Sequence, residues 1–204
     1  MTQVVGSRQE RKQRTRQALL DGSLHLLADR GLATLSLREV AREVGIVPTA
    51  FYRHFESMDA LGIALVEECT RTLRALIREA RAEGSSQAIP SSVRTLARYV
   101  TEHTAPLSFL TRERHGGVPA VRRAIAAELR LFASELATDL ARFPWLSVLD
   151  SEDLRMAADL MVNAMSETVL GLLEIQHPDD ERDLLRTAER QLRLIIVGMT
   201  HWRP

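Results

Sequence analysis

Aromatic side chains are scarce: five phenylalanines, two tyrosines and two tryptophans in 204 residues. Lysine is almost absent, because Lys12 alone represents it beside a large set of arginines. Cys69 is the single cysteine, which excludes an intrachain disulfide and fits a reducing cytoplasm. Residues 1–13, MTQVVGSRQERKQ, have no apolar stretch of the kind a signal peptide needs, so none is expected. No apolar run approaches the roughly 18 residues of a membrane span. Strand-type alternation is missing, and so are internal repeats and low-complexity tracts. A glycine-rich phosphate loop, metal-ligand spacings and a serine-elbow motif are also missing, and the six histidines are scattered. An enzyme is therefore not expected, nor a metal or a cofactor.

What is present reads as a soluble all-α chain. Apolar residues make up 45 % and charged residues 26 %, enough apolar content to fold. The formal net charge is +0, but unevenly spread. Residues 1–58 hold nine Arg/Lys against six Asp/Glu, a balance of +3, and the remainder carries −3. A basic front end on a neutral chain points to an anionic partner for that end.

Helical periodicity runs nearly throughout. A first helix is expected from about Arg8 to Asp29, with Leu20, Leu24 and Leu27 on one face and Gly31 as a left-handed cap. Ser36-Leu37-Arg38-Glu39 is a capping box opening a short second helix, which Gly45 ends. Pro48 starts a third helix reaching about Phe55, at a position where proline is tolerated. Ser57 caps a fourth, about 58–82, with Leu61, Leu65, Leu73, Leu76 and Ala80 in stripe positions. The sequence GSSQ at 84–87 reads as a linker. Further helices are expected near 90–104, 106–115, 118–142, 151–176 and 179–202, with Pro90, Pro106, Pro119, Pro144 and Pro178 at their boundaries.

The few aromatics cluster in VPTAFYRHF, 47–55. At about 100° per residue, Phe51 and Phe55 fall about 40° apart on one face that must be buried. Thr49 and Arg53 fall opposite, with Tyr52 and Ala50 on the flanks. Small Ala41, Gly45 four residues on and Phe51 six further on have the spacing of a helix-turn-helix. Its second helix enters the major groove. Thr49 and Ala50 are small enough for close approach, and Ala50 suits a thymine methyl. Arg53 reaches a guanine edge or a phosphate, while Tyr52 and His54 suit phosphates. Arg38 is a further candidate DNA contact. Arg8 to Arg16, RQERKQRTR, is a basic arm in which Arg11, Lys12 and Arg14 lie along phosphates or enter the minor groove.

The stretch SLREVAREVGIVPTAFYRHFESMDAL, 36–61, resembles the DNA-binding module of TetR-family transcriptional regulators. The resemblance implies an N-terminal three-helix domain, 1–57, and a helical domain, 58–204, that binds a small ligand and forms a homodimer. Many such regulators carry a phosphate-contacting lysine at the start of the fourth helix, where this chain has Met58. RKQRTRQALLDG, the helix-turn-helix and the later FLTRERHGG are also similar to the FabR/DesT-type repressors of unsaturated fatty acid synthesis. That similarity implies a repressor sensing long-chain acyl-CoA or a related thioester, and an inverted-repeat duplex as operator. A TetR-type repressor for another hydrophobic ligand, controlling efflux or catabolic genes, is the alternative. A helical acyl-chain carrier without DNA is a more distant one.

In the second half, Leu154, Ala157, Leu160, Met161, Val162, Ala164, Met165, Val169, Leu172 and Leu173 cover most of one helix. Leu184, Leu185, Ala188, Leu192, Ile195, Ile196, Met199 and Trp202 form a stripe on the next. The surplus of apolar surface suggests a four-helix interface between two copies. Phe109, Leu110, Phe132, Leu136, Leu140, Met161 and Met165 are candidate linings for an acyl chain, and ordinary core is the competing reading. Arg112, Arg114, Arg122 and Arg123, around a Gly-Gly turn with His115, are candidates for the phosphates of an acyl-CoA effector; pairing with Glu113 and Glu128 is the alternative. Cys69, within a stripe, reads as packed.

Overall fold

The computed structural model describes residues 3–82 and 88–202, with side chains from residue 8. The expected linker at 84–87 and the side chain of Ala80 lie outside the described residues. Every described element is a helix, and no strand occurs among the described residues. In chain order they are α1 (Gln3–Leu26), a 3-10 turn (Leu32–Thr34), α2 (Leu37–Glu43), α3 (Pro48–Phe51), α4 (Met58–Ala82) and α5 (Ala88–Glu102). Then follow α6 (Thr104–Glu113), α7 (Pro119–Leu140), a second 3-10 turn (Pro144–Leu146), α8 (Ser151–Glu174) and α9 (Pro178–His201). Pro48, Pro119 and Pro178 each occupy the first helical position, and Pro90 and Pro106 fall in first turns, where the missing N–H breaks no hydrogen bond.

Two compact units emerge. The first comprises Met1–Cys69 with Ser108–Ile125, and the second Thr70–Leu107 with Ala126–Pro204. The first unit thus takes in the beginning of α4, the end of α6 and the beginning of α7. Its core holds Leu19, Leu20, Leu27, Leu32, Val40, Ala41, Phe51, Phe55, Leu61, Leu65 and Phe109, all buried.

The second unit is built on α5, α8 and α9, which pack on one another. Val93, Ala133, Leu140, Leu146, Leu154, Ala158, Met161, Ala188, Leu192 and Met199 form its core. Contrary to the sequence expectation, α8 is long and apolar enough by length and composition to cross a membrane. Its buried face of Leu154, Ala157, Ala158, Met161, Thr168 and Val169 makes it a core helix of this unit. Within this unit α4 and α7 meet through polar bonds. Glu128 accepts from the Thr70 hydroxyl at 2.9 Å and from Arg74, and Arg78 bonds Glu135 at 3.0 Å. The Arg74 guanidinium lies 5.4 Å from the Phe132 ring centroid. Cys69 is buried, and burial pushes its thiol up to about 12, so it is packed rather than reactive.

One cap departs from expectation. Gly31 has φ −82°, not a left-handed value, and α1 already ends at Leu26. The carbonyls beyond it are met by guanidinium groups instead. Arg30 Nε bonds Leu26 O at 3.0 Å, and Arg112 takes the carbonyls of Leu27, Ala28 and Arg30. Charged donors at a helix C-terminus suit its partial negative charge, so no left-handed glycine is required.

The capping box of α2 is complete. The Ser36 hydroxyl accepts from Glu39 N at 3.3 Å, and Glu39 Oε2 accepts from Ser36 N at 2.9 Å. Glu39 also pairs with Arg30 at 2.9 Å. The bonds from Ser36, and then Arg30, hold the Glu39 carboxyl at about 2, against 4.5 ordinarily. A lowered carboxyl pKa adds stability above pH 4.5 that is lost as pH falls toward 2. Replacing Ser36 by alanine is expected to cost about 1 kcal/mol in denaturant unfolding at neutral pH. The same variant should also lose stability less steeply between pH 4.5 and 2 than the parent protein.

Candidate nucleic-acid interface

The turn between α2 and α3 is made by a Schellman motif. Ile46 N bonds Ala41 O at 2.9 Å and Gly45 N bonds Arg42 O at 3.1 Å. Gly45 sits at φ +71°, the one positive φ among the described residues, where a side chain would be strained. The motif therefore fixes the angle at which the chain leaves α2 for α3.

Regular α-helix ends at Phe51, four residues earlier than the sequence suggests. The chain nevertheless keeps turning. Arg53 N bonds Ala50 O at 3.2 Å, His54 N bonds Phe51 O at 2.8 Å, and Phe55 N bonds Phe51 O at 3.1 Å. Tighter turns of this kind are ordinary at helix ends. The angular arrangement survives: Phe51 is fully buried, Phe55 nearly so, and their ring centroids are 5.7 Å apart. Opposite them Thr49 and Arg53 are exposed, and Tyr52 is 61 % exposed, edge-on to Phe51 at 5.8 Å. Ala50 and His54 are half-buried, and Arg38, two residues beyond the cap of α2, is exposed. Met58, at the start of α4, is half-buried.

The basic arm lies on α1 itself, which begins at Gln3 rather than near Arg8. Arg8, Arg11, Lys12 and Arg14 are exposed along it. A regular helix presents these charges at helical pitch.

Arg16 behaves differently from its neighbours. Its guanidinium bonds the His54 carbonyl at 3.0 Å and sits 4.2 Å from the Phe55 ring centroid. It therefore ties α1 to the end of the reading segment through a charged hydrogen bond and a cation–π contact. Sequence reasoning counted it only as one more arm charge. The available signal was its position, since Arg16 lies one helical turn past Lys12 and two past Arg8. His54 Nδ1 is buried without a hydrogen bond among the described residues. Burial first, then Lys12, Arg16 and Arg53, hold the His54 imidazole below its usual 6.5. Lys12, Arg16 and Arg53 thus all lie near enough to oppose protonation of His54.

The proposed effector residues are divided between the units. Phe109 is fully buried and Leu110 half-buried in the first unit, which also holds Arg112, Arg114, Arg122 and Arg123. Arg112 has its donors on three carbonyls after α1, contrary to the expectation of a phosphate contact or an acidic partner. Arg122 bonds the Gly116 carbonyl at 2.5 Å, and Arg123 is exposed. In the second unit Phe132, Leu136 and Met165 are half-buried, and Met161 is in the core.

Two short helices joined by a rigid turn, with an outward polar face, have the arrangement of a helix-turn-helix. Comparison with known proteins agrees. Residues 19–65 match the family described as "Bacterial regulatory proteins, tetR family", so this segment is a TetR-family DNA-binding module. That family consists of regulators that bind DNA, not of enzymes.

Over about nine-tenths of the chain the fold is similar to that of solved transcriptional regulators. The fatty acid degradation regulator FadR of Bacillus halodurans superposes with a TM-score of 0.71 at 16 % identity, over 90 % of this chain and 95 % of that one. The transcriptional regulator FadR of Bacillus subtilis, solved in complex with stearoyl-CoA, gives 0.70 at 17 % identity, over 89 % and 98 %. SCO4454, a TetR-family transcriptional regulator of Streptomyces coelicolor, gives 0.64 at 21 % identity, over 89 % and 95 %.

The Arg16 contacts are open to a direct check. Arg16→Met is expected to lower stability by about 1–2 kcal/mol, through loss of a charged hydrogen bond and the ring contact. Because Arg16 is one of the cations opposing protonation of His54, an NMR titration should find the His54 imidazole titrating higher in the variant.

Proposed function

We propose that the chain is a homodimeric, DNA-binding transcriptional repressor that reads an inverted-repeat operator and responds to a long-chain acyl thioester such as acyl-CoA. The observation that carries this reading is the face opposite the two buried rings. There Thr49, Tyr52 and Arg53 stand outward on a segment of a TetR-family DNA-binding module. In this reading Thr49, Ala50 and Arg53 meet base edges. Tyr52, His54, Arg38, Arg11, Lys12 and Arg14 meet phosphates, and the α1 charges take over from the lysine that Met58 replaces. A protein acting on bacterial DNA works in the cytoplasm.

Dimerisation is supported by apolar side chains left uncovered on α8 and α9. Met156, Leu160 and Leu170 on α8 and Leu194 and Val197 on α9 are exposed, Leu194 to 72 %. The α9 residues are not members of the stripe read from sequence, whose Ala188, Leu192 and Met199 are buried within the chain. The stripe builds the unit, and a second copy of the chain covers the remaining face. Two reading helices about a two-fold axis then meet half-sites one turn of DNA apart, about 34–36 Å.

An acyl effector is supported by the likeness to the FadR regulator solved with stearoyl-CoA. The FabR/DesT-type subgroup rests on FLTRERHGG and its neighbours, and synthesis genes as targets rest on the same resemblance. Phe132, Leu136, Met161 and Met165 of the second unit receive the chain. Phe109 and Leu110 serve the first unit's core. The effector changes operator affinity only by its differential affinity for two states of the dimer.

Footprinting is expected to protect an inverted repeat, and the absence of any sequence-specific protection would overturn the reading. Replacing Arg8, Arg11 and Lys12 together by alanine should flatten the salt dependence of operator binding, by about 0.9 in log–log slope for each phosphate no longer neutralised. By sedimentation the protein should be a dimer at micromolar concentration, and Leu194→Arg should shift it toward monomer.

A further inference from the structure

The segment that resembles an effector-binding motif also holds a buried carboxylate for which DNA reading has so far given no role. Glu113 is the last residue of α6 and is 1 % exposed. Its Oε1 accepts a 2.7 Å hydrogen bond from Leu32 N, the first residue of the turn that leads into α2. Oε2 is buried and accepts no hydrogen bond among the described residues. Two glycines make the space. A methyl group at Gly116 would lie 2.2 Å from Oε2, and one at Gly31 would lie 3.1 Å from Oε1.

The preceding residue completes the arrangement. Arg112 bonds Leu27 O at 2.7 Å, Ala28 O at 2.9 Å and Arg30 O at 3.1 Å. Two consecutive side chains of opposite sign therefore both bond the α1–α2 connection. The arginine takes acceptors at 27, 28 and 30, and the glutamate takes the donor at 32. Glu39, which closes the capping box of α2, also pairs with Arg30 inside this connection. The clamp and the start of the helix-turn-helix are thus one hydrogen-bonded segment, belonging to the same compact unit.

We infer that Arg112 and Glu113 are positioning residues for operator recognition. They set where α2 begins, and hence how the reading segment is presented, without touching DNA. A buried carboxylate is costly unless its bonding geometry is kept, so the connection has little freedom to shift while Glu113 remains in place. The neutral amide of Glu113→Gln would place donor hydrogens against the Gly116 backbone and weaken the bond to Leu32. Arg112→Gln would release the three carbonyls after α1.

This inference rests on the proposed DNA-reading function, and the test separates the two. A duplex is first selected by the wild-type protein from a random pool, and a mixed-sequence duplex serves as the non-specific probe. If the wild-type protein selects no sequence, the functional reading fails, and the inference with it. Given selection, E113Q and R112Q are each measured against both duplexes at a temperature where circular dichroism shows full folding. The expected result is a fall of about tenfold in the ratio of specific to non-specific affinity, with non-specific affinity within twofold of wild type. A residue that merely stabilised the fold would leave that ratio unchanged in folded protein, and an unchanged ratio for both variants overturns the inference. Should E113Q not fold, the ratio measured for R112Q, altered at an exposed side chain, decides the matter alone. Hydrogen exchange at the Leu32 amide gives an independent readout, and it should accelerate in E113Q more than exchange in the core of the second unit.

Discussion

Burial of two phenylalanine rings is the constraint on which the reading surface depends. Phe51 and Phe55 sit 5.7 Å apart in the core of the first unit. A segment with one regular helical turn has no stability of its own, since nucleation costs more than a single turn returns. Tertiary burial holds it, and each ring removes an apolar surface worth about 1.5–3 kcal/mol from water. Once both rings are inside, the helical pitch leaves Thr49 and Arg53 nowhere to point but outward. Polarity at those positions costs nothing in folding, so their identities are free to serve recognition.

Much of this was legible in the sequence because it is local. The capping box needs only Ser36 and Glu39, three residues apart, and both of its bonds are present. Gly45 was readable because one residue must carry the left-handed backbone, and it does. The ring pair was readable from pitch alone. The misreadings have a common cause: they concern partners distant in sequence. Gly31 looked like a left-handed cap because glycine after a helix usually is one. Its use is to leave room for Glu113, and the bond from Leu32 to that carboxylate spans 81 residues. Arg112 read as a partner for a phosphate or for Glu113 and Glu128, whereas its acceptors lie 82–85 residues earlier. Of the α9 stripe, Ala188, Leu192 and Met199 are buried within the chain while Trp202 is exposed, as are Leu194 and Val197 outside it; periodicity cannot distinguish a face buried within one chain from a face buried by another copy.

The same economy explains how one arginine-rich chain keeps its charges apart. Exposed arginines on α1 remain solvated, which suits contact with a polyanion that rewards charge more than exact placement. Arg16, Arg30 and Arg112 are used otherwise: each gives at least one N–H to a backbone carbonyl. A planar guanidinium with five donors can satisfy several carbonyls at once, which an ammonium group does less well. These arginines finish helix ends and connect segments within the first unit, while those on the α1 surface carry charge.

In the second unit the α4–α7 contact applies polar bonding where leucines would have served. Arg74, Glu128 and Glu135 are each about four-fifths buried, so solvent screens them only in part. Apolar packing of equal volume would be at least as stable, because desolvating charge offsets most of the attraction. What polar pairing adds is intolerance of intermediate positions. Leucine rows can slide by a fraction of a turn with gradual weakening of their packing. Arg74, bonded to Glu128 and 3.8 Å from Glu135, has partners at discrete places along α7. A partial shift of α4 along α7 would leave a charge unpaired, at a cost of about 3–5 kcal/mol before discounting for residual solvent. The part of α4 in the second unit is thereby held in one defined register along α7.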